Sequence, residues 1–139
     1  MNIKKLRKDR TTRKGMIVKL DRLFSKLIIE RDKKCVQCGS DSQLTCGHVF
    51  SRKHYSTRWD FLNCHCQCWP CNYRHVHDTY PYTEWFRKNY GTAAYNRLYK
   101  KWNEITDLKL SDLQEIYVAM QRKEYPIIWS HATSPENIV

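Results

Sequence analysis

The sequence predicts an α+β fold, a zinc-stapled hairpin and helix flanked by N-terminal and C-terminal α-helices. Three observations predict it. Two C-x2-C pairs, Cys35-Val-Gln-Cys38 and Cys68-Trp-Pro-Cys71, are separated by 29 residues, the pattern of a four-sulfur metal site. The stretch from 35 to 78 lacks helical period until its end and reads as a metal-organised loop and hairpin, with a helix starting near Pro70 to Asn72. On both sides of it, apolar residues recur at helical spacing. A chain of 139 residues leaves room for one domain and no second of full size.

The elements follow in order. Residues 1–15 form a basic arm carrying Lys4, Lys5, Arg7, Lys8, Arg10, Arg13 and Lys14, with little that packs. A single domain is expected over 16–129. From about Met16 to Arg31, Ile17, Leu20, Phe24, Leu27 and Ile28 mark a first helix with one buried face. The zinc core spans about 35–78, and a helical part follows over 79–129. Thr83 is expected to cap a helix bearing Trp85, Phe86 and Tyr90, which Gly91 stops. A helix from about Thr92 shows Tyr95, Leu98, Trp102 and Ile105. Ser111 to Gln114 reads as a capping box for a last helix with Leu113, Ile116, Tyr117 and Met120 inward, ended by Pro126. Residues 130–139 read as a tail. The flanking helices are needed, because a zinc region of this size buries little by itself.

Composition excludes several classes. Apolar residues at 41% and charged residues at 28% are too balanced for a wholly disordered chain. No apolar run approaches the ~20 residues of a membrane span. The N-terminus has charge without the apolar stretch of a secretory signal, so an intracellular location and no membrane partner are expected. Only four glycines and four prolines argue against linkers.

Charge points to a partner. The net charge is +11, and residues 1–34 alone hold 13 basic and 4 acidic side chains. Such a concentration favours a polyanion, nucleic acid before an anionic surface. A solubilising charge would be spread out.

All seven cysteines fall between 35 and 71. An odd number without a secretory signal argues against a disulfide framework and for metal. Zn²⁺ suits four sulfurs, being redox-inert; iron–sulfur clusters show other spacings. The two C-x2-C pairs leave Cys46, Cys64 and Cys66 outside the ligand set, as buried thiols or thiols on alternating strand positions.

Between and beside the pairs stand Gly47-His48, Asn63 and Asn72. Here the sequence resembles the HNH (His-Me finger) nucleases, whose active site sits on a treble-clef-like ββα-metal core. The stretch CVQCG…TCGHVFSRKHYSTRWDFLNCHCQCWPCN is closest to the NinG (Rap) family of phage recombination nucleases, which act on branched DNA. The likeness extends to LDRLFSKLIIERDKKC and to WFRKNYG, and so covers most of the chain beyond the arm.

The resemblance implies roles. His48 takes the general-base position, Asn63 ties the hairpin loop and orients the histidine, and Asn72 binds a catalytic Mg²⁺ or Mn²⁺ through its side-chain oxygen. Many HNH enzymes carry an acidic metal ligand directly before the base; this chain has Gly47 there. Asp78, then His77, then His75 are the candidates for the second ligand. Arg52, Lys53, Arg58 and Arg74 are expected to hold the DNA backbone. Trp59 and Trp69 are expected to pack against the zinc module, and His54, His65 and His131 to be structural.

The expected function is metal-dependent endonuclease cleavage of branched DNA, such as Holliday junctions, D-loops or flaps. The product ends would be 5′-phosphate and 3′-hydroxyl. A homodimer would supply two symmetric cuts, and a phage-encoded protein would act in the host cytoplasm. The rival is a zinc-dependent nucleic-acid-binding protein without catalysis. A second is a nuclease acting on RNA, or a homing or packaging enzyme.

Overall fold

The first helix starts earlier than its apolar period. The Thr12 hydroxyl accepts the Gly15 N–H at 3.0 Å, an N-cap that draws Arg13 and Lys14 out of the expected arm. A computed structural model describes residues 12–124. The order is α1 (Arg13–Asp32), β1 (Leu44–His48), α2 (Tyr55–Arg58), β2 (Cys64–Cys68), α3 (Trp69–His77), α4 (Tyr80–Tyr90), α5 (Thr92–Trp102) and α6 (Leu110–Gln121). Lys4, Lys5, Arg7, Lys8, Arg10, Pro126, His131 and the expected tail lie outside the described residues. No helix among the described residues is long and apolar enough to cross a membrane.

β1 and β2 pair antiparallel with Cys46 opposite Cys66 and His48 opposite Cys64. Strand alternation therefore puts Cys46, His48, Cys64 and Cys66 on one face, and Thr45, Gly47, His65 and Gln67 on the other. Two apolar clusters sandwich the hairpin. On the first face, Met16, Leu20, Phe24 and Ile28 of α1 meet Leu113, Ile116 and Met120 of α6 around Trp59, Phe61 and Cys64. The second cluster joins Val49, Phe50 and Leu62 to Tyr82, Phe86, Ala94 and Leu98 of α4 and α5. Both faces of β2 are covered, so every residue in it is buried.

Polar ties set the hairpin's position. Arg31 donates from Nη1 to the Phe61 carbonyl at 2.9 Å and from Nη2 to the Cys64 carbonyl at 2.7 Å. Asp32 accepts the Cys66 N–H at 2.8 Å. The end of α1 is thereby fixed to β2. Asp60, fully buried, accepts the Leu62 N–H at 2.9 Å and pairs with Lys101 Nζ at 2.6 Å. Burial lifts the Asp60 carboxyl above its usual range, and the Lys101 ammonium works against that. Lys101→Met should cost about 3 kcal/mol in urea denaturation at pH 7, because it leaves a buried carboxylate uncompensated. The deficit should shrink as pH falls toward the carboxylate range, since protonation removes the stranded charge.

Local signals account for the shifted boundaries. α4 begins at Tyr80, with Pro81 in its first turn and Asp78 accepting the Tyr80 N–H at 3.1 Å, so Thr83 lies inside the helix. Gly91, at φ 90°, ends α4 as expected. α6 is entered through Lys109, whose N–H meets Asp112 at 2.8 Å, instead of through Ser111. α5 ends at Trp102, and Ile105 is fully exposed instead of continuing its apolar face.

Candidate metal centre and active-site cleft

The four expected sulfurs converge. Cys35 and Cys38 precede β1, Cys68 closes β2, and Cys71 lies in the first turn of α3. Their Sγ atoms all lie within 4.8 Å of one another, and Cys38 and Cys68 approach to 3.5 Å. Ligands at ~2.3 Å from one tetrahedral ion stand about 3.8 Å apart, so the donor set fits a zinc ion. The first pair turns tightly: Gly39, at φ 78°, returns its N–H to the Cys35 carbonyl at 2.9 Å. Burial pushes the Cys35 thiol up, but the N–H groups of Cys68, Cys38 and Gln37 more than offset it and draw it down to about 7. Among the clustered thiols these N–H groups favour the thiolate form of Cys35, whereas burial pushes Cys68 and Cys71 up.

His48 stands at the end of β1 and opens onto a cleft of about 880 Å³. Thr45, Cys46 and Val49, Arg52, Asn72 and His75 line the same cleft, with Asp21 and Ser25 of α1 across from them. The His48 ring sits 2.8 Å from the Arg58 carbonyl through Nε2. A carbonyl only accepts, so Nε2 carries the proton and the lone pair resides on Nδ1. Burial lowers the imidazole to about 4, helped by the positive charges of Arg52 and Arg58 and opposed by the Arg58 hydrogen bond and Asp21. His48 is therefore neutral throughout the physiological range.

Arg58 was expected on the DNA backbone, and the structure assigns it elsewhere. Its Nε and Nη2 grip both oxygens of Asp21 at 3.0 and 2.6 Å, and Nη1 donates to the Arg52 carbonyl at 3.1 Å. Trp59 Nε1 donates to the same Asp21 at 3.0 Å. Burial raises the Asp21 carboxyl, but the Arg58 bond and charge hold it below the usual range. Asp21 thereby fixes the segment whose carbonyl orients His48. Sequence reasoning missed it, because a lone acid on an amphipathic helix carries no signal of its own.

Asn63 is fully buried and acts on the loop. Its Oδ1 accepts the Phe50 N–H at 2.8 Å, while Nδ2 donates to the carbonyls of Phe50 and Thr57 at 2.9 and 3.1 Å. These bonds tie the loop between β1 and α2, as the resemblance implied, and none of them reaches His48. Asn72 donates from Nδ2 to Thr45 Oγ1 at 2.9 Å. No described residue donates to its Oδ1, which remains an acceptor at the cleft.

The expected order of second ligands does not survive the geometry. Asp78 caps the α3–α4 junction, and the His77 ring packs edge-on to Tyr73 at 4.8 Å; neither lines the cleft. His75, one turn after Asn72, does. Its Nε2 donates to the Val49 carbonyl at 3.0 Å, and its buried Nδ1 has no hydrogen-bond partner.

Gly47 has a steric cause. A Cβ there would lie 1.8 Å from Gln67 Oε1, so the Gln67 carboxamide occupies the space of a side chain at 47. Gly47→Asp should therefore lower stability by about 1–3 kcal/mol in thermal unfolding through overpacking, and add no metal affinity.

The remaining basic residues divide. Arg13 donates to the Leu108 carbonyl at 3.1 Å and lies over the Tyr55 ring, so it staples α1 to neighbouring segments. Lys14, Arg52, Lys53 and Arg74 are exposed. His65 and His54 are structural: His65 accepts from Arg31 and donates to Leu62, and His54 stacks on Trp102 at 4.1 Å. Trp59 is buried, but Trp69 is 55% exposed and stacked on Tyr73 at 5.1 Å, against the expectation that it packs inward. Helix α3 turns that flat pair outward while placing Asn72 and His75 along the cleft.

The fold and the site define a small α+β protein in which a hairpin and a helix bring four cysteines together as a candidate metal site, with a histidine-bearing cleft beside them. A family model described as Bacteriophage Lambda NinG protein matches residues 2–125. The chain belongs to the NinG family. Neither curated proteins nor solved structures show a match.

Proposed function

We propose that the chain is a metal-dependent DNA endonuclease of HNH type that cuts branched recombination or replication intermediates. One observation carries this reading: His48, its tautomer set by the Arg58 carbonyl, opens onto the same cleft as the Asn72 carboxamide. In this reading Asn72 Oδ1, a hard oxygen donor at the cleft, would hold the divalent ion, and the His75 ring, which lines the same cleft and whose Nδ1 carries no hydrogen bond, would be its second ligand and favour Mn²⁺ over Mg²⁺. Such an ion supplies charge neutralisation on the scissile phosphate and its leaving oxygen.

His48 Nδ1 accepts a proton from the attacking water as its oxygen bonds to phosphorus. The P–O3′ bond breaks, and the leaving oxygen ends as a 3′-hydroxyl opposite a 5′-phosphate. Because the base stays neutral down to about pH 4, cleavage should hold level between pH 8 and pH 6 instead of falling on the acid side. An acid limb at about 6.5 would show that burial does not hold His48 low, and a limb that persists in His48→Ala would assign the base to another group.

Exposed Lys14, Arg52, Lys53 and Arg74 supply phosphate contacts, and the Trp69–Tyr73 stack offers flat faces to unpaired bases. Base stacking is worth about 1–3 kcal/mol per base. The double variant Trp69→Ala/Tyr73→Ala should lose roughly tenfold in affinity for flaps and junctions while duplex binding changes little. Labelled junctions, flaps, duplexes and RNAs, each with Mg²⁺ or Mn²⁺, test the reaction itself. Cleavage of no substrate would leave the zinc-dependent binding protein as the reading; preferential RNA cleavage would favour the second rival. A second copy of the chain would provide the paired cut at a four-way junction.

A further inference from the structure

Three donors outside the four-cysteine centre gather where the function so far uses only one. Cys46 and His48 lie two residues apart on the same face of β1, and Cys64 is the strand partner of His48 on β2. One ligand atom from each lies within 4.8 Å of the other two. Cys46 and His48 line the cleft, and Cys64 closes the group from behind. Cys66, on the same face, is not in the group.

We propose that Cys46, His48 and Cys64 form a second, soft-metal site that withdraws the general base when it fills. Two thiolates and one imidazole select Zn²⁺, Cd²⁺ or Cu⁺ over Mg²⁺, which takes oxygen ligands. Three protein donors leave a fourth position toward the cleft, which water fills. Binding displaces two thiol protons to solvent and ties up the His48 lone pair. The ion therefore competes with the proton transfer, and micromolar free zinc turns the enzyme off while Mg²⁺ or Mn²⁺ turns it on. The inhibitory half rests on the nuclease reading; the binding half does not.

Zinc per chain, measured by equilibrium dialysis and elemental analysis on the full chain, separates the two. Wild type should hold about two ions at micromolar free zinc, one in each centre. Cys46→Ser and Cys64→Ala should each hold one, and Cys66→Ser should keep two. The partly exposed Cys46 position provides the folded variant should Cys64→Ala fail to fold. One ion per wild-type chain, or two in Cys46→Ser, overturns the proposal whether or not the chain cuts DNA. In cleavage assays, added zinc should inhibit wild type at least tenfold more strongly than Cys46→Ser. Equal inhibition of both overturns it as well.

Discussion

His48→Ala is expected to slow DNA cleavage by about a hundred- to ten-thousand-fold, the usual worth of a positioned general base. The chain should still fold, with stability lower by about 1–3 kcal/mol for the lost buried hydrogen bond, and DNA affinity should stay at the wild-type level. The side chain contributes one hydrogen bond, to the Arg58 carbonyl, and Arg58 remains held by Asp21 through two others. Exposed phosphate-binding residues are untouched. Single-turnover cleavage beside a binding titration checks both halves of the expectation. Asp21→Asn makes the companion test, because it weakens the clamp that places the carbonyl without touching the reacting atoms. It should lower the rate less than His48→Ala and also reduce stability. Cleavage by His48→Ala at the wild-type rate would rule out the proposed chemistry.

Emptying the proposed four-cysteine zinc site is expected to be the largest stability effect in the molecule. Residues 35–43 hold no helix or strand, and β1, β2 and α3 carry or adjoin the four sulfurs. Structural zinc contributes on the order of 10 kcal/mol to small domains that depend on it. Here the α1–α6 packing supplies a core of its own, so the loss should be smaller. Cys68→Ser, or a strong chelator at neutral pH, should cost about 5 kcal/mol or more and abolish a single cooperative transition. Circular dichroism should keep part of the helical signal, since α1 and α6 bury their faces against each other. Hydrogen exchange should show the hairpin opening first. Unchanged denaturation after verified zinc removal would mean that the sulfurs do not hold the fold together.

These two effects also mark how far the sequence reaches. The convergence of the four sulfurs was legible because ligand spacing is local: each C-x2-C pair is a turn, and two turns suffice to bring four thiols together. The helices were legible from period, and Gly91 from its need for positive φ. The resemblance placed His48, Asn63 and Asn72, and Asn63 makes the loop ties it implied. The ends of elements were less legible. Thr83 and Ser111 carry good capping chemistry, but Asp78 and Asp112 meet the free N–H groups instead.

By itself, the sequence determined the α+β class, the four sulfurs, the basic character and the family, because short-range spacing and composition encode them. Only the tertiary structure decided what surrounds His48. Asp21 reaches Arg58 across 37 positions, Gln67 fills the space beside Gly47, and His75 lines the cleft where Asp78 and His77 do not. Each depends on which face of a helix or strand meets another element. That is a property of packing between distant segments, and no window along the chain contains both partners.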